Sequence, residues 1–248
     1  MSKLRASVLV DARRGPAPPA SIAGAPGVEV IVAGPGQAVN VAEDAPEAEV
    51  FHALVQAASG PLCVWQRAGD LPVPGRVDRM MAALVRLGTP VVAHRSPAPQ
   101  AGAGSGQLAR VPLKQVAQGT LLHPDTLAFR RDIAHFAPTV DKHRHGTRRA
   151  LLAWAAMRGG VGFIDQALVA RPPSPAPPAG VMAQRRAQAT QAALTAVDTL
   201  LELGAPQPIL DLATQYVLKA SERWTWTHWS LLVHRHKPRW TPPEGGTP

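Results

Sequence analysis

The stretch from Ala57 to Leu87, AASGPLCVWQRAGDLPVPGRVDRMMAALVRL, decides the fold. It predicts the end of a helix, a buried strand at Leu62–Trp65, an irregular polar turn and a second helix. The strand is a short apolar run bounded by turn signals, which is typical of a central strand covered on both faces. The second helix has one apolar face: Val77, Met80, Met81, Leu84 and Val85. Because ligands collect beyond the carboxyl ends of strands in open α/β sheets, the turn Gln66–Asp70 is where we first expect function.

Short apolar strands alternate with amphipathic helices over the first 171 residues. Strands are predicted at Ala6–Asp11, Val28–Ala33, Val39–Val41, Leu62–Trp65, Pro90–His94, Thr126–Phe129 and Gly162–Val169. Helices are predicted at Ala45–Ala58, Arg76–Leu87 and Thr147–Met157. This alternation is typical of an α/β protein with a largely parallel sheet. The segment Ser96–Gln107, rich in Pro, Gly, Ala and Ser, is predicted to be a flexible loop.

A polyproline-type spacer, RPPSPAPPAG at Arg171–Gly180, follows the last predicted strand. Beyond it the pattern is helical. One helix at Gln184–Leu203 ends at Gly204, and a second begins near Pro208. We therefore predict a domain at residues 1–171, a helical appendage at 181–237 and a disordered tail at 238–248.

Charge is the clearest signal in the overall composition. The chain has 26 Lys and Arg against 17 Asp and Glu, which gives a net charge of +9. Such an excess favours anionic partners, although a solvated arginine-rich surface gives the same count. No nucleic-acid-binding motif accompanies the charge, so nucleic acid is not an expected partner.

The single cysteine and the lack of long apolar runs indicate the compartment. Cys63 lies in the apolar run of the buried strand, which predicts a small buried side chain rather than a nucleophile, and one cysteine forms no internal disulfide. No run approaches 18 apolar residues and no signal-peptide pattern is present, so we expect a cytoplasmic protein. The segment Trp224–Trp229 beside a basic run predicts either peripheral contact with the inner face of the membrane or packing of the appendage onto the sheet, and we favour packing.

Five segments together resemble family 2 glycosyltransferases, which have the GT-A fold. The segments are SVLVDARR at Ser7–Arg14, VEVIVAGPGQ at Val28–Gln37, ALVQAASGPLCVWQRAGDLPVPGRVDRMMAAL at Ala53–Leu84, TLAFRRDIAHFAPTVDK at Thr126–Lys142 and LLAWAAMRGGVGFIDQALVAR at Leu151–Arg171. They resemble, in order, the family's first strand, its second strand, the Asp-x-Asp segment, the acceptor-side segment and the closing helix and strand. Their order and spacing carry the resemblance, which covers about residues 6–171.

The sequence departs from this family at three positions where the resemblance implies acids. The aspartate that contacts the nucleotide after the second strand is replaced by Gly34 and Pro35. The Asp-x-Asp motif, whose carboxylates hold a divalent cation on the diphosphate, is replaced by Arg67-Ala68-Gly69 followed by Asp70. The catalytic base before the late helix is replaced by Thr147-Arg148. The resemblance therefore implies a degenerate active site, and neither a cofactor nor a Mn or Mg ion is predicted.

These departures leave several functional interpretations open. The first is a glycosyltransferase-like protein related to enzymes that transfer a sugar from a nucleotide-sugar in polysaccharide or glycoconjugate assembly, with weakened or metal-independent activity. The alternative is a catalytically inactive scaffold or interaction protein that uses the same fold and binds a protein partner or a glycan. A third interpretation is an arginine-dominated module that binds anions or a lipid surface.

Charged side chains near predicted strand ends and on the acceptor side are the candidate nucleotide- or sugar-binding residues: Asp11, Arg67, Asp70, Arg130, Arg131 and Arg171. Arg67 would face the diphosphate, with Asp70 orienting it, because a guanidinium binds phosphate bidentately. The structural alternatives are that Asp70 caps the next helix and that Arg67 pairs with Asp70 or Asp78. His143 and His145 are the candidate general bases, and they make a poor metal site because no carboxylate or cysteine accompanies them.

Overall fold

The computed structural model describes residues 4–13, 26–97, 99–119, 122–136, 144–171 and 178–236. The strands are β1 (Ala6–Asp11), β2 (Val28–Gly34), β3 (Val39–Asn40), β4 (Leu62–Arg67), β5 (Leu71–Pro72), β6 (Val91–His94), β7 (Leu108–Val111), β8 (Leu127–Arg130), β9 (Val161–Ile164) and β10 (Val169–Ala170). The α-helices are α1 (Glu47–Ala57), α2 (Arg76–Leu87), α3 (Leu113–Ala117), α4 (Thr147–Arg158), α5 (Ala179–Glu202) and α6 (Gln207–His236). Short 3-10 segments, Pro124–Thr126 and Arg131–Phe136, flank β8.

Eight of these strands form one sheet, in the order β3-β2-β1-β4-β8-β6-β9-β7. β1 pairs in parallel with β2 and β4, and β6 pairs in parallel with β9. β8 and β7 run antiparallel to their neighbours, and β5 pairs with β10 in a separate ribbon. The prediction of an α/β fold with a mostly parallel sheet flanked by helices is confirmed. The reversed direction of β8 is the main departure, and it changes where two of the candidate residues lie.

The central strands β1 and β4 are covered on both faces because their side chains alternate between two hydrophobic cores. Leu9 and Trp65 belong to the core that contains α1 and α4. Val8 and Val64 belong to the core that contains α2. The predicted central strand at 62–65 is confirmed. Cys63 within it is fully buried, as predicted, and burial raises the pKa of its thiol to about 12.

The helix after the central strand keeps its predicted apolar face in part. Met80 and Leu84 are buried in the core, whereas Val85 is 79 % exposed. The predicted flexible loop at 96–107 is hydrogen-bonded to the turn after β9: the Gly102 N–H donates to the Ala167 carbonyl at 2.8 Å, and the Ser105 hydroxyl donates to Asp165 at 2.7 Å. These bonds fasten the loop to the domain.

The two C-terminal helices pack against each other and against the sheet domain. α5 contacts α4, and α6 contacts α3, around a third apolar core that includes Ala153, Leu200 and Ala213. The division of the chain at residue 171 stays a prediction, and the tail at 238–248 lies outside the described residues. Within the part of the chain that the structure describes, no helix is long and apolar enough to cross a membrane. Trp224–Trp229 fall in α6, but their side chains lie outside what the structure describes.

Candidate functional site

A cleft of about 430 Å³ opens beyond the carboxyl ends of β1 and β4. The two strands pair in register, so Asp11 at the end of β1 lies opposite Arg67 at the end of β4. The other walls come from the turn before β8, the start of α4 and one face of α5. The charged residues that line the cleft are Asp11, Arg13, Glu47, Arg67, Asp125, Arg148, Arg149 and Arg185. The cleft therefore lies at the sheet edge where the sequence predicts a ligand.

Hydrogen bonds from a buried arginine of α2 fix the start of the turn after β4. Arg76 donates one hydrogen bond to the Trp65 carbonyl at 2.8 Å and another to the Gln66 side-chain oxygen. Gln66 in turn donates to the Asp70 carbonyl at 2.8 Å. Gly69 allows the tight reversal, because its φ of +82° is in the left-handed region that favours glycine. Arg67 is consequently left exposed at the strand end on a fixed backbone.

Arg148 is the most heavily bonded side chain of the cleft. Its guanidinium donates to Glu47 at 3.0 Å and also to Asp125, while its carbon lies 4.5 Å from the centre of the Trp65 ring. Only 14 % of the Arg148 side chain is exposed. Burial alone would raise the pKa of the Asp125 carboxyl, but Arg148, His123 and Arg171 outweigh burial and hold this pKa far below its usual range. Both carboxylates are therefore ionised partners of Arg148.

Glu47 also occupies the start of α4. Its carboxylate accepts hydrogen bonds from the Gly146 N–H at 2.9 Å and the Arg148 N–H at 3.2 Å. A carboxylate is favoured there because the first N–H groups of a helix lack partners within the helix. Burial raises the pKa of Glu47, but Arg148 and these N–H groups lower it by more. The resemblance implies a catalytic base at the start of α4. In this chain the first N–H groups of α4 are instead bound by the Glu47 carboxylate of α1.

A second arginine extends the same network along the cleft edge. Arg171 donates two hydrogen bonds of 2.6 Å to Asp70 and one of 3.3 Å to Asp125. The network therefore runs Glu47–Arg148–Asp125–Arg171–Asp70. The expectation that Asp70 orients Arg67 is wrong, because the buried Asp70 carboxylate is bound to Arg171.

Three arginines of the cleft have no carboxylate partner among the described residues. The side chains of Arg67 and Arg185 form no hydrogen bond or ion pair with the described part of the chain. The predicted alternative partner of Arg67, Asp78, is paired with Arg5. Arg149 stacks over the Tyr216 ring, with 5.3 Å between the guanidinium carbon and the ring centre. Arg13 is neutralised by Asp11, to which it is joined at 2.8 Å. Five arginines face three carboxylates in this lining, so the cleft carries an excess of two positive charges.

The two arginines at the end of β8 do not reach the cleft. Arg130 is paired with Asp132, and Arg131 donates to the Ala58 carbonyl at the end of α1. The physical reason is the direction of β8: Arg130 lies opposite Leu62, at the amino end of β4. Arg130 and Arg131, two of the candidate nucleotide- or sugar-binding residues, therefore do not line the cleft.

Histidines contribute to the cleft differently from the sequence prediction. His145 lines the cleft, whereas His143 lies outside the described residues. His123 also lines it, and its Nδ1 accepts a hydrogen bond from the Asp125 N–H at 3.2 Å. Burial lowers the pKa of His123 despite the nearby Asp125 carboxylate. The sequence signal for His123 and Asp125 is only their place just before a strand, and sequence reasoning missed both.

The carboxylates of the cleft do not fit a divalent cation. A hard cation needs several free carboxylate or carbonyl oxygens. Asp11 is engaged by Arg13, Asp70 by Arg171, and Glu47 and Asp125 by Arg148. In the described residues, no group of three or more His, Cys, Asp or Glu is arranged to hold a metal ion. The exposed Arg67 stands where the resemblance implies the metal-binding motif.

Comparisons with other proteins identify the fold. No protein-family model matches the sequence, and no curated protein matches it. The backbone is similar to a mannosyltransferase, PcManGT from Pyrobaculum calidifontis in complex with GDP-Man and Mn2+, with a TM-score of 0.59 at 14 % identity over 95 % of this chain and 76 % of that one. It is also similar to S. aureus TarS 1-349, with a TM-score of 0.58 at 9 % identity over 87 % of this chain and 71 % of that one.

A third similar structure is glucosyl-3-phosphoglycerate synthase from Mycobacterium tuberculosis in complex with Mn2+, UDP-glucose and phosphoglyceric acid. Its TM-score is 0.53 at 17 % identity, over 82 % of this chain and 81 % of that one. At such low identities these likenesses define the fold. The chain has the GT-A glycosyltransferase fold.

Proposed function

We propose that this chain is a glycosyltransferase-like protein whose cleft binds the diphosphate of a nucleotide-sugar through arginines, without a divalent cation. The observation that carries the proposal is the set of three arginines without carboxylate partners among the described residues, Arg67, Arg149 and Arg185, which line the cleft beyond the carboxyl ends of β1 and β4. This is the sheet edge at which α/β folds bind ligands. A diphosphate would neutralise the excess positive charge that the cleft lining carries.

The cleft residues have distinct parts in such binding. Arg67 stands on a rigid strand end, and guanidinium groups match phosphate oxygens with paired N–H donors. Arg148 and Arg171 are already bound to carboxylates, so they position the walls rather than supply free charge. Asp11, oriented by Arg13, presents a carboxylate at the end of β1 that could accept a hydrogen bond from a ribose hydroxyl.

Transfer of the sugar also requires a group that takes the acceptor's proton, and the described part of the cleft has few side chains suited to this. The bond from the sugar C1 to the diphosphate oxygen must break, a bond from C1 to the acceptor oxygen must form, and the acceptor's hydroxyl proton must leave to a base or to water. Glu47 and Asp125 are ionised with lowered pKa values, which makes them poor bases. The Nδ1 of His123 accepts from the Asp125 N–H, so its neutral ring carries the proton on Nε2 and acts there as a donor. His145 is the remaining candidate base that lines the cleft.

A catalytically inactive binding protein is the second candidate function, and the occupied carboxylates favour it. Such a protein would bind the nucleotide-sugar in the same arginine-lined cleft but would not transfer the sugar. Release of nucleoside diphosphate separates the two candidates.

Isothermal titration of the full chain with a panel of UDP- and GDP-sugars, each with Mn2+ and with EDTA, tests the proposal. We expect at least one donor to bind with the same affinity under both conditions. Binding that requires Mn2+ would contradict the arginine mechanism. No heat with any donor would contradict nucleotide-sugar binding and leave the scaffold interpretation. Slow release of nucleoside diphosphate from a bound donor would favour residual transfer.

A further inference from the structure

Arg76, the first residue of α2, is a buried cation that lies against the carboxyl end of β4 and outside the lining of the cleft. Its guanidinium donates to the Trp65 carbonyl at 2.8 Å and to the side-chain oxygen of Gln66. Its Nε–H is buried and has no partner among the described residues. Within the part of the chain that the structure describes, every hydrogen bond of this side chain therefore goes to the start of the turn that carries Arg67.

Gln66 extends the Arg76 hydrogen bonds across the turn. This buried side chain donates to the Asp70 carbonyl at 2.8 Å and to the Arg67 carbonyl at 3.2 Å. Arg76 and Gln66 together thus bind three backbone carbonyls, those of residues 65, 67 and 70. The bonds from Arg171 to the Asp70 carboxylate fasten the far end of the turn, so the end next to β4 depends on Arg76.

Two features make a cation at position 76 unfavourable for stability. The first turn of a helix has a positive dipole end, which disfavours cations. Burial lowers the pKa of Arg76 from 12.5 to about 10, although the charge of Asp70 opposes this shift. Asp70 is itself bound to Arg171, and no described carboxylate forms an ion pair with Arg76. Because hydrogen bonds to the turn offset these costs, the loss of Arg76 should act mainly on the turn.

We propose that Arg76 is a positioning residue for the diphosphate site, because it fixes the turn so that Arg67 meets an anionic ligand without rearrangement. The inference rests on the proposed function and adds a residue on which affinity depends although it does not line the cleft. A segment that becomes ordered only on binding loses conformational entropy at that moment, which weakens affinity. Gly69 makes this turn especially free when it is not held. The Arg76 hydrogen bonds order it before the ligand arrives.

The test is a double-mutant cycle on ligand affinity in the full chain. Arg67→Ala and Arg76→Gln are made singly and together, and the dissociation constants of UDP and GDP are measured by isothermal titration with EDTA. We expect Arg76→Gln to raise the dissociation constant by about fivefold when Arg67 is present and by less than about twofold in Arg67→Ala. A purely structural role would weaken binding equally in both backgrounds. That result, or no weakening when Arg67 is present, would overturn the proposal.

Control variants separate positioning from stability and from charge. Met80→Ala leaves a cavity under the same helix and should lower the melting temperature, but it should change the dissociation constant by less than about twofold. Arg86→Gln removes an exposed charge of α2 outside the cleft lining and should have as little effect. Weakening by either control equal to that of Arg76→Gln would overturn the proposal. Circular dichroism identifies a temperature at which every variant is folded.

Arg76→Lys keeps the positive charge but lacks the paired donors of a guanidinium. We expect its affinity to stay about threefold or more below that of the unchanged protein, because one ammonium group does not replace the bonds to both Trp65 and Gln66. Full affinity in Arg76→Lys would show that charge alone acts and would overturn the positioning role.

Hydrogen exchange of the ligand-free chain distinguishes failure of this inference from failure of the proposed function. The amides of Ala68 and Asp70 donate to the carbonyls of Asp11 and Arg67, each at 3.3 Å. Arg76→Gln should speed exchange of these two amides by about tenfold and leave β6 unchanged. If neither UDP nor GDP binds, the proposed function fails, and faster exchange confined to the turn would still support the role of Arg76 in fixing it. Unchanged exchange in the turn would overturn the inference whether or not the nucleotides bind.

Discussion

The guanidinium carbon of Arg148 lies over the ring of Trp65, 4.5 Å from the ring centre, at the point where the central strand meets the cleft. Trp65 is itself stacked on Phe51, which stacks on Phe129, so an aromatic column runs from the cleft into the core. The Arg148 guanidinium covers the end of this column at the cleft and also binds the carboxylates of Glu47 and Asp125. Arg148 therefore couples the integrity of the cleft to the stability of the whole domain.

Replacing Arg148 by Gln should destabilise the protein by about 3–5 kcal/mol, because it leaves Glu47 and Asp125 largely buried without their counter-charge. The measurement is the free energy of unfolding from urea titration. The triple variant Arg148→Met, Glu47→Gln and Asp125→Asn should recover a large part of the loss, since it removes the buried charges together. A loss below about 1 kcal/mol for Arg148→Gln would show that water screens these carboxylates.

Asp70 and Arg171 form the pair that fastens the end of the sheet domain to the turn after β4. Asp70→Asn and Arg171→Gln, made singly and together, form a double-mutant cycle. We expect a coupling free energy of about 1–3 kcal/mol, because the two side chains share two short hydrogen bonds and the carboxylate is 4 % exposed. The same cycle on Arg130 and Asp132, whose side chains are both exposed, should give a coupling free energy of less than about 1 kcal/mol. Equal coupling in both cycles would contradict a special role for the Asp70 pair.

Local sequence predicts the central strand and the ligand-binding edge of the sheet. The apolar run at 62–65 identifies the buried strand, and parallel pairing then brings Asp11 and Arg67 to one edge. The position of Arg130 depends on the direction of β8, which is set by pairing with β4 and β6 rather than by the residues of β8 itself. A largely parallel sheet was the reasonable expectation from alternating strands and helices, and β8 departs from it.

The ion-pair network could not be predicted from the sequence because its members are distant along the chain. Glu47 and Arg148 are 101 residues apart, as are Asp70 and Arg171. No periodicity or motif links positions at such separations. Only the tertiary structure shows that the carboxylates which might have held a metal are instead bound to arginines.

A buried histidine should make the protein lose stability below neutral pH. His94 has no exposed surface, and burial together with the charge of Arg76 lowers its pKa from 6.5 to about 3. In the unfolded chain its pKa returns to the ordinary value, so between these pH values the unfolded state binds the additional proton. The free energy of unfolding should therefore fall as pH falls below about 6.5, by about 1.4 kcal/mol per pH unit from this one residue.

The variant His94→Asn isolates this contribution. An asparagine can keep the hydrogen bond that His94 Nδ1 donates to the Arg95 carbonyl at 2.7 Å, but it does not titrate. Urea titrations between about pH 6.5 and 5, above the ordinary pKa values of carboxyl groups, should show a smaller slope in the variant. His123, whose pKa is also lowered, remains in both proteins and gives the same background. Identical slopes would mean that His94 is protonated in the folded protein.

Arg67 should be the residue on which nucleotide-sugar affinity depends most directly, because it is exposed on a rigid strand end and no described carboxylate neutralises it. Arg67→Ala should raise the dissociation constant of a bound nucleotide-sugar by about tenfold, the usual loss for a charge-assisted hydrogen bond. Arg86→Ala is the matched control, since it removes an exposed arginine from α2, outside the cleft lining, and should leave the affinity unchanged.

The loss in Arg67→Ala should be the same with EDTA and with Mn2+, because the guanidinium acts where a metal would otherwise neutralise the diphosphate. Adding Mn2+ should not restore affinity, since Asp70 is held by Arg171 and no free carboxylate stands beside the turn in the described residues. Arg67→Asp tests the converse, because it places a carboxylate where the resemblance implies the first acid of the metal-binding motif. Mn2+-dependent binding in that variant alone would indicate that the arginine stands in for a metal ion. An affinity that is unchanged in Arg67→Ala would place the diphosphate elsewhere and contradict the arginine mechanism.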